Sequence, residues 1–248
     1  MKTKVGILDW GIGGMGVYSS LRAKGQTCDV VYFSDSGSTP YGKIPEQELR
    51  IRFEIVGSYL KQQGCAFVLV ACNAASAAMK FETESFGGIP FHSIIPSAIK
   101  AVRNNLENKL GVIGGVRTIE SGIYQKEMKG KNIKFVSAQP LSALVENGEL
   151  DGEKVELQVQ KVLNSFPDIE CLLLACTHYP ALNPVILRLA PHLLIIDPAE
   201  TMVTSFIFPK GNSILEFRTT GNLDQSIKSS LAAFKIKIPK DAAARIDI

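Results

Sequence analysis

Three short motifs in the first half of the chain return in the second half, in the same order and at nearly the same spacing. Lys4-Val5-Gly6-Ile7 is matched by Lys109-Leu110-Gly111-Val112 and Ala71-Cys72 by Ala175-Cys176. Ile94-Ile95-Pro96-Ser97-Ala98 is matched by Ile195-Ile196-Asp197-Pro198-Ala199. A repeat of this kind restricts the fold to two similar units. The runs leading into each Ala-Cys, Val68-Leu69-Val70 and Leu172-Leu173-Leu174, are too short for a buried helix and lack polar alternation, as expected of strands covered on both faces. Similar runs at 4–9, 29–34, 66–71, 90–95, 109–114, 132–137, 170–175 and 192–197 alternate with amphipathic stretches. Among these stretches are 45–63, with Arg50, Phe53, Val56 and Leu60 three or four apart, and 152–165. Alternation of this type builds βα units and a mostly parallel sheet. The expected fold is therefore α/β, with two pseudo-symmetric lobes and the ligand site in the cleft between them. The first lobe is expected to comprise 1–96 plus 207–248, and the second 97–206. The segment from Ser213 to Gly221 and the helix-like 222–235 have no repeat counterpart and are expected to pack back on the first lobe. Asp35 to Gly42, rich in Ser, Gly and Pro, reads as a loop.

Composition narrows the function classes. A net charge of +3 with no dense basic run and no interleaved aromatic stripe argues against nucleic acid. No stretch approaches the roughly 20 apolar residues of a membrane span. Asp9 and the glycines after it interrupt the apolar start after four residues, so Val5 onward reads as a first strand rather than a signal peptide. Five cysteines, an odd number, argue against a disulfide framework and for a reduced, cytoplasmic setting.

Ligands of open α/β sheets bind beyond the carboxyl ends of the strands. Cys72 and Cys176 stand at two such ends, equivalent in the repeat, which sets one thiol on each side of a shared cleft. That arrangement suits removal of a proton from one face of a carbon and its return to the other, as in racemisation or epimerisation. A thiol acts as a base only as thiolate, a form favoured by helix amides or a neighbouring cation. His178, two residues beyond Cys176, is placed to polarise a thiol or carry a proton. Asp9 closes the first strand and faces the cleft, where it could hold an ammonium group or orient a thiol; its structural alternative is a helix cap. Cys65 and Cys171, at the starts of the same strands, and His92 and His192 read as packing residues. Three other readings stay open, one of them a cysteine hydrolase with Cys72 or Cys176 as nucleophile, which would leave the second cysteine surplus. Gly11-Ile12-Gly13-Gly14-Met15-Gly16 fits Gly-x-Gly-x-x-Gly, with Asp35 at the distance of a ribose ligand, as in a nicotinamide-dependent oxidoreductase. A zinc site from Cys72, Cys176 and His178 is allowed by residue type but lacks the usual close spacing.

Seven motifs in order resemble the cofactor-independent aspartate/glutamate racemase family over nearly the whole chain. They are Asp9 with Gly13-Gly14, Asp35-Ser36 through Pro40-Tyr41-Gly42, Ala71-Cys72-Asn73 with Ala75-Ser76-Ala77, Gly111-Val112-Ile113-Gly114, Val145-Glu146 with Gly148, Cys176-Thr177-His178-Tyr179-Pro180, and Ile196-Asp197-Pro198-Ala199. Thr219-Thr220-Gly221 adds a short eighth match. The resemblance implies interconversion of L- and D-glutamate without a cofactor or metal. Cys72 and Cys176 would be the two acid/bases, Asp9 and His178 would assist them, and Glu146 would be an accessory. It further implies substrate contacts from Trp10, Pro40, Tyr41, Gly42, Asn73, Ala74 and Thr177, a homodimer, and supply of D-glutamate to cell-wall peptidoglycan. Three positions depart from the family pattern. Trp10 stands where it has Ser, and Ala74 and Gly115 stand where it has Thr. Each loss removes a hydroxyl expected on the substrate, worth about 0.5–1.5 kcal/mol if neutral and about 1.5–3 kcal/mol toward a charged partner. A different amino-acid substrate, or a non-catalytic ligand-binding relative, is the alternative these positions raise.

Overall fold

Each apolar run of the sequence forms a strand in the computed structural model, which describes residues 3–103, 109–128, 133–166 and 168–248. The strands are β1 (Lys4–Asp9), β2 (Val30–Ser34), β3 (Cys65–Val70), β4 (Thr83–Phe86), β5 (Ile89–Ser93), β6 (Leu110–Gly114), β7 (Ile133–Ser137), β8 (Cys171–Ala175), β9 (Leu194–Ile196), β10 (Leu215–Thr219) and β11 (Ala243–Arg245). Residue 132 of the expected 132–137 strand lies outside the described residues. One sheet has the order β11-β10-β2-β1-β3-β5-β4 and the other β7-β6-β8-β9. Pairing is parallel throughout except between β4 and β5. The path β2-β1-β3-β5 in one sheet repeats as β7-β6-β8-β9 in the other, so the sequence repeat is also a repeat of topology. The protein is an α/β fold of two pseudo-symmetric lobes.

The central strands of both sheets are covered on both faces, which is why they need no polar alternation. In the first, Leu8, Val31, Phe33, Val68 and Val70 face one apolar cluster, while Val5, Ile7, Val30, Tyr32 and Leu69 face another. In the second, Leu172 and Leu174 face one side, and Leu110, Val112 and Leu173 the other. Each such aliphatic side chain contributes about 1.5–3 kcal/mol when fully buried. The helix Glu46–Gln62 covers the first sheet with a stripe that starts at Leu49 and continues through Phe53, Val56 and Leu60. Arg50, counted in that stripe from spacing alone, instead reaches out to pair with Glu84 at 2.5 Å.

The lobes are tied by exchanged parts. The helix Ile95–Val102 follows a strand of the first sheet yet buries Ile95, Ala98 and Val102 in a cluster of the second. The helix Pro198–Thr204 follows a strand of the second and buries Ala199, Met202 and Val203 against the first. These two helices begin at the third repeated motif. Ile12, in the glycine-rich turn after β1, is fully buried in the core of the second lobe beside Tyr179 and Leu141. The C-terminal segment touches both lobes. β10 pairs with β2, and the helix Leu223–Phe234 donates from Ser229 Oγ to the Glu146 carbonyl at 2.6 Å. Among the described residues no helix is long and apolar enough to cross a membrane.

Candidate active site

The carboxyl ends of β1, β3 and β8 meet the ends of their neighbours at the junction of the lobes. Cys72 is the N-cap residue of the short helix Asn73–Ser76 and is 8% exposed. Burial pushes its thiol well above the ordinary value, and negative charge at Asp9 and Cys176 adds to this, while backbone N–H groups of Ala75 and Trp10 work the other way. Asp9 is fully buried at the end of β1. Its carboxylate accepts from the Trp10 N–H at 2.7 Å and from Thr177 Oγ1 at 2.8 Å, so it is oriented from both lobes.

Cys176 follows β8 and is less buried than Cys72. Its Sγ lies 3.7 Å from Nδ1 of His178, whose Nε2 donates to Glu146 Oε1 at 2.5 Å. Burial works against the imidazolium, but hydrogen bonds to Cys176 and Glu146 outweigh it and hold His178 well above its usual value. Glu146, the last residue of the helix Pro140–Glu146, also accepts from the Ile12 N–H at 2.7 Å. It therefore fastens the histidine and the first lobe's turn together. A Cβ on Gly11 would lie 1.8 Å from Glu146 Oε1, and one on Gly13 would lie 2.7 Å from His178 Nδ1. Glycine is required at both positions because the second lobe occupies the space.

That geometry corrects the dinucleotide reading. The turn that fits Gly-x-Gly-x-x-Gly is filled by Glu146, Thr177 and His178, leaving no cradle for a pyrophosphate. Asp35 is fully buried and its carboxylate accepts from Tyr41 OH at 2.8 Å, Arg52 Nε at 2.8 Å and Nη2 at 2.6 Å, and Thr220 Oγ1 at 2.9 Å. It has no room for a ribose. Among the described residues, no group of three or more His, Cys, Asp or Glu side chains is arranged to hold a metal.

Of the other candidates, Asn73 is 3% exposed and its Oδ1 accepts from Tyr124 OH at 2.6 Å, while its Nδ2 is buried without a partner. Trp10 donates from its indole Nε1 to the Ser38 carbonyl at 3.1 Å. Trp10 and Ala74 pack against the same apolar cluster as Cys72 and Tyr41, a large residue and a small one on one surface. The Tyr41 side chain is buried toward Asp35, so Tyr41 offers the cleft only its backbone. Reading the sequence missed Arg117, whose Nε donates to the Tyr41 carbonyl at 2.9 Å and whose Nη2 donates to that of Ile44. It also missed Tyr124 and Gln139. Arg117 and Tyr124 act across the lobes on residues far away in sequence, Gln139 accepts from the Val116 N–H within its own lobe, and no local motif marks any of them.

The His178–Glu146 pair carries a pH prediction. A histidine held above its usual value stabilises the fold fully below its unfolded value, about 6.5, and loses that contribution as the pH rises through the folded one. Glu146→Gln keeps an acceptor for Ile12 but removes the charge, and is expected to cost about 1.5–3 kcal/mol near pH 6. Thermal melts from pH 6 to 10 should show the gap to wild type closing on the alkaline side. A gap constant with pH would mean that the histidine is neutral in the fold.

The model of the family described as Asp/Glu/Hydantoin racemase matches residues 17–206. Glutamate racemase of Aquifex pyrophilus is 34% identical over 221 residues, covering 86% of this chain and 87% of that protein. Glutamate racemase of Aquifex aeolicus is 35% identical over 236 residues, covering 91% and 92%. The crystal structure of glutamate racemase from Thermus thermophilus in complex with beta-chloro-D-alanine superposes with a TM-score of 0.83 at 28% identity, covering 100% of this chain and 98% of that one. A match of this extent, over a fold that repeats one sheet order on either side of a cleft, leaves one conclusion: the chain belongs to the Asp/Glu/hydantoin racemase family.

Proposed function

We propose that the chain is a glutamate racemase that works without a cofactor, with Cys72 and Cys176 as the two acid/bases. One observation carries this reading. Thiols at the matched ends of β3 and β8 stand at the same lobe junction, each with its own polar partner: Asp9 beside Cys72 and His178 beside Cys176. Racemisation needs one thiol and one thiolate at a time. For one enantiomer Cys176 takes the α-proton and the Cys72 thiol delivers one to the opposite face, and for the other enantiomer the two sulfurs exchange roles; His178, backed by Glu146, supports the Cys176 half. An α-proton beside a carboxylate is a very weak acid, so the developing charge needs fixed donors in a dry site. The buried, unpartnered Nδ2 of Asn73 is such a donor, positioned by Tyr124. Thr177 and the backbone of Pro40-Tyr41-Gly42 complete the substrate shell. The side chains of Trp10, whose backbone N–H donates to Asp9, and of Ala74 reshape its wall. The same reading assigns a homodimer in the cytoplasm supplying D-glutamate for peptidoglycan.

The test is α-proton exchange in deuterated water, followed by NMR with L- and D-glutamate, aspartate and a panel of other amino acids. Exchange with inversion on glutamate is expected. Exchange confined to another amino acid would reassign the substrate and keep the mechanism. Absence of exchange on every member would leave a ligand-binding protein and sink the enzymatic reading.

A further inference from the structure

The hydroxyl missing at Gly115 has a replacement in space, although not in sequence. Gln139, at the start of the helix Pro140–Glu146, sends its carboxamide toward this glycine. Oε1 accepts from the Val116 N–H at 3.2 Å, and a Cβ built on Gly115 would come within 2.9 Å of it. The same oxygen is the one atom within 4 Å of a Cβ built on Gly42. The amide thus lies between a glycine of the second lobe and a glycine of the first lobe's Pro40–Gly42 loop, at the mouth of the cleft. We propose that Gln139 is a specificity-determining residue that reads the carboxylate at the far end of the substrate side chain; this rests on the glutamate reading above.

Three observations support the assignment. A carboxamide supplies the same donor and acceptor chemistry as the lost threonine hydroxyl. Nε2 has two N–H groups and gives one to Ser142 Oγ at 3.1 Å, which leaves the other for an acceptor in the cleft. The guanidinium of Arg117 is held against the same loop at the carbonyls of Tyr41 and Ile44 and brings positive charge to this end of the cleft, as an anionic side-chain terminus requires. The bulk of glutamine is tolerated because both facing positions are glycine.

The rival role is purely structural, since Oε1 also caps the helix Val116–Glu120. Gln139→Glu separates the two. It keeps an acceptor for Val116 N–H but sets a negative charge against the substrate carboxylate, whereas Gln139→Ala removes both functions. Steady-state racemisation of D- and L-glutamate is measured beside thermal melting for all three proteins. KM is expected to rise roughly tenfold in Gln139→Ala and further in Gln139→Glu, the loss of a hydrogen bond to a charged group, with kcat within about threefold and unchanged melting in Gln139→Glu. Wild-type KM in Gln139→Glu would overturn the proposal and leave a cap. A wild-type protein that acts only on amino acids lacking a distal carboxylate would overturn both this proposal and the glutamate assignment. A wild type active on glutamate with unresponsive variants would overturn this proposal alone.

Discussion

Cys72→Ala is expected to abolish racemisation of both glutamate enantiomers while leaving α-proton exchange with solvent on only one of them. Cys176→Ala is expected to leave exchange on the other. The reason is geometric. In the proposed two-base mechanism the substrate carbon lies between a thiol from each lobe, and each sulfur reaches one face. Removing one sulfur leaves the other able to take and return the proton it faces, so that enantiomer exchanges without inversion. A positioned acid or base contributes roughly 10²–10⁴-fold, so each variant should lose at least that in racemisation. Alanine is preferred to serine because it leaves no hydroxyl to act weakly in place of the thiol. Chiral analysis of the products, with deuterium incorporation measured by mass, reads both effects. Should the two variants retain exchange on the same enantiomer, the thiols do not face opposite sides of the carbon and the two-base mechanism is wrong.

Arg52→Ala is expected to cost about 3–5 kcal/mol, the usual penalty for leaving a buried charge without its partner. For a chain of this size that lowers Tm by on the order of 10 °C. Asp35 has no exposed surface, and Arg52 supplies two of its four charge-compensating hydrogen bonds. With alanine at 52, the carboxylate keeps only the hydroxyls of Tyr41 and Thr220. Because Tyr41 and Ser38 belong to the loop that Asp35 anchors, the loop should loosen and KM for substrate rise as well. Asp35→Asn combined with Arg52→Leu should recover most of the lost stability, since replacing both partners removes the stranded charge. A melting temperature within about 2 °C of wild type for Arg52→Ala alone would show that solvent reaches Asp35 and compensates it.

Strands β1, β2, β6 and β8 were legible because they are buried along nearly their whole length and are therefore written as apolar runs. β4 escaped that pattern: Thr83–Phe86 is an edge strand with only Phe86 buried. A signal for it was present, since Gly87-Gly88 closes a two-residue hairpin with φ of 59° and 78°, the turn that glycine pairs favour. At the site, Asp9, Cys72, Cys176 and His178 stood out by position at strand ends. Glu146 did not, because its importance lies in what it touches in the other lobe, and it was legible only through resemblance. The glycine-rich turn shows the limit most plainly. Its spacing is equally suited to admitting a phosphate and to admitting Glu146 and His178, and only the folded arrangement of the second lobe distinguishes the two. Arg117 and Gln139 lie beyond reading altogether, since Arg117 contacts a loop more than seventy residues away and Gln139 bonds across a strand to the Val116 N–H, and no local motif marks either.

The unequal company of the two sulfurs has a kinetic consequence. Enantiomers have the same free energy in water, so the equilibrium constant of a racemase acting on them is unity, and kcat/KM must be equal in the two directions however different the two half-sites are. Asp9 beside one sulfur and a histidine–glutamate pair beside the other cannot favour one enantiomer at equilibrium. The difference can appear only as a larger kcat accompanied by a proportionately larger KM for one enantiomer. In the proposed two-base mechanism the duplicated fold supplies two reagents related by rotation for a reaction whose two directions are mirror images, and the mismatch is taken up in how tightly each hand of the substrate is held.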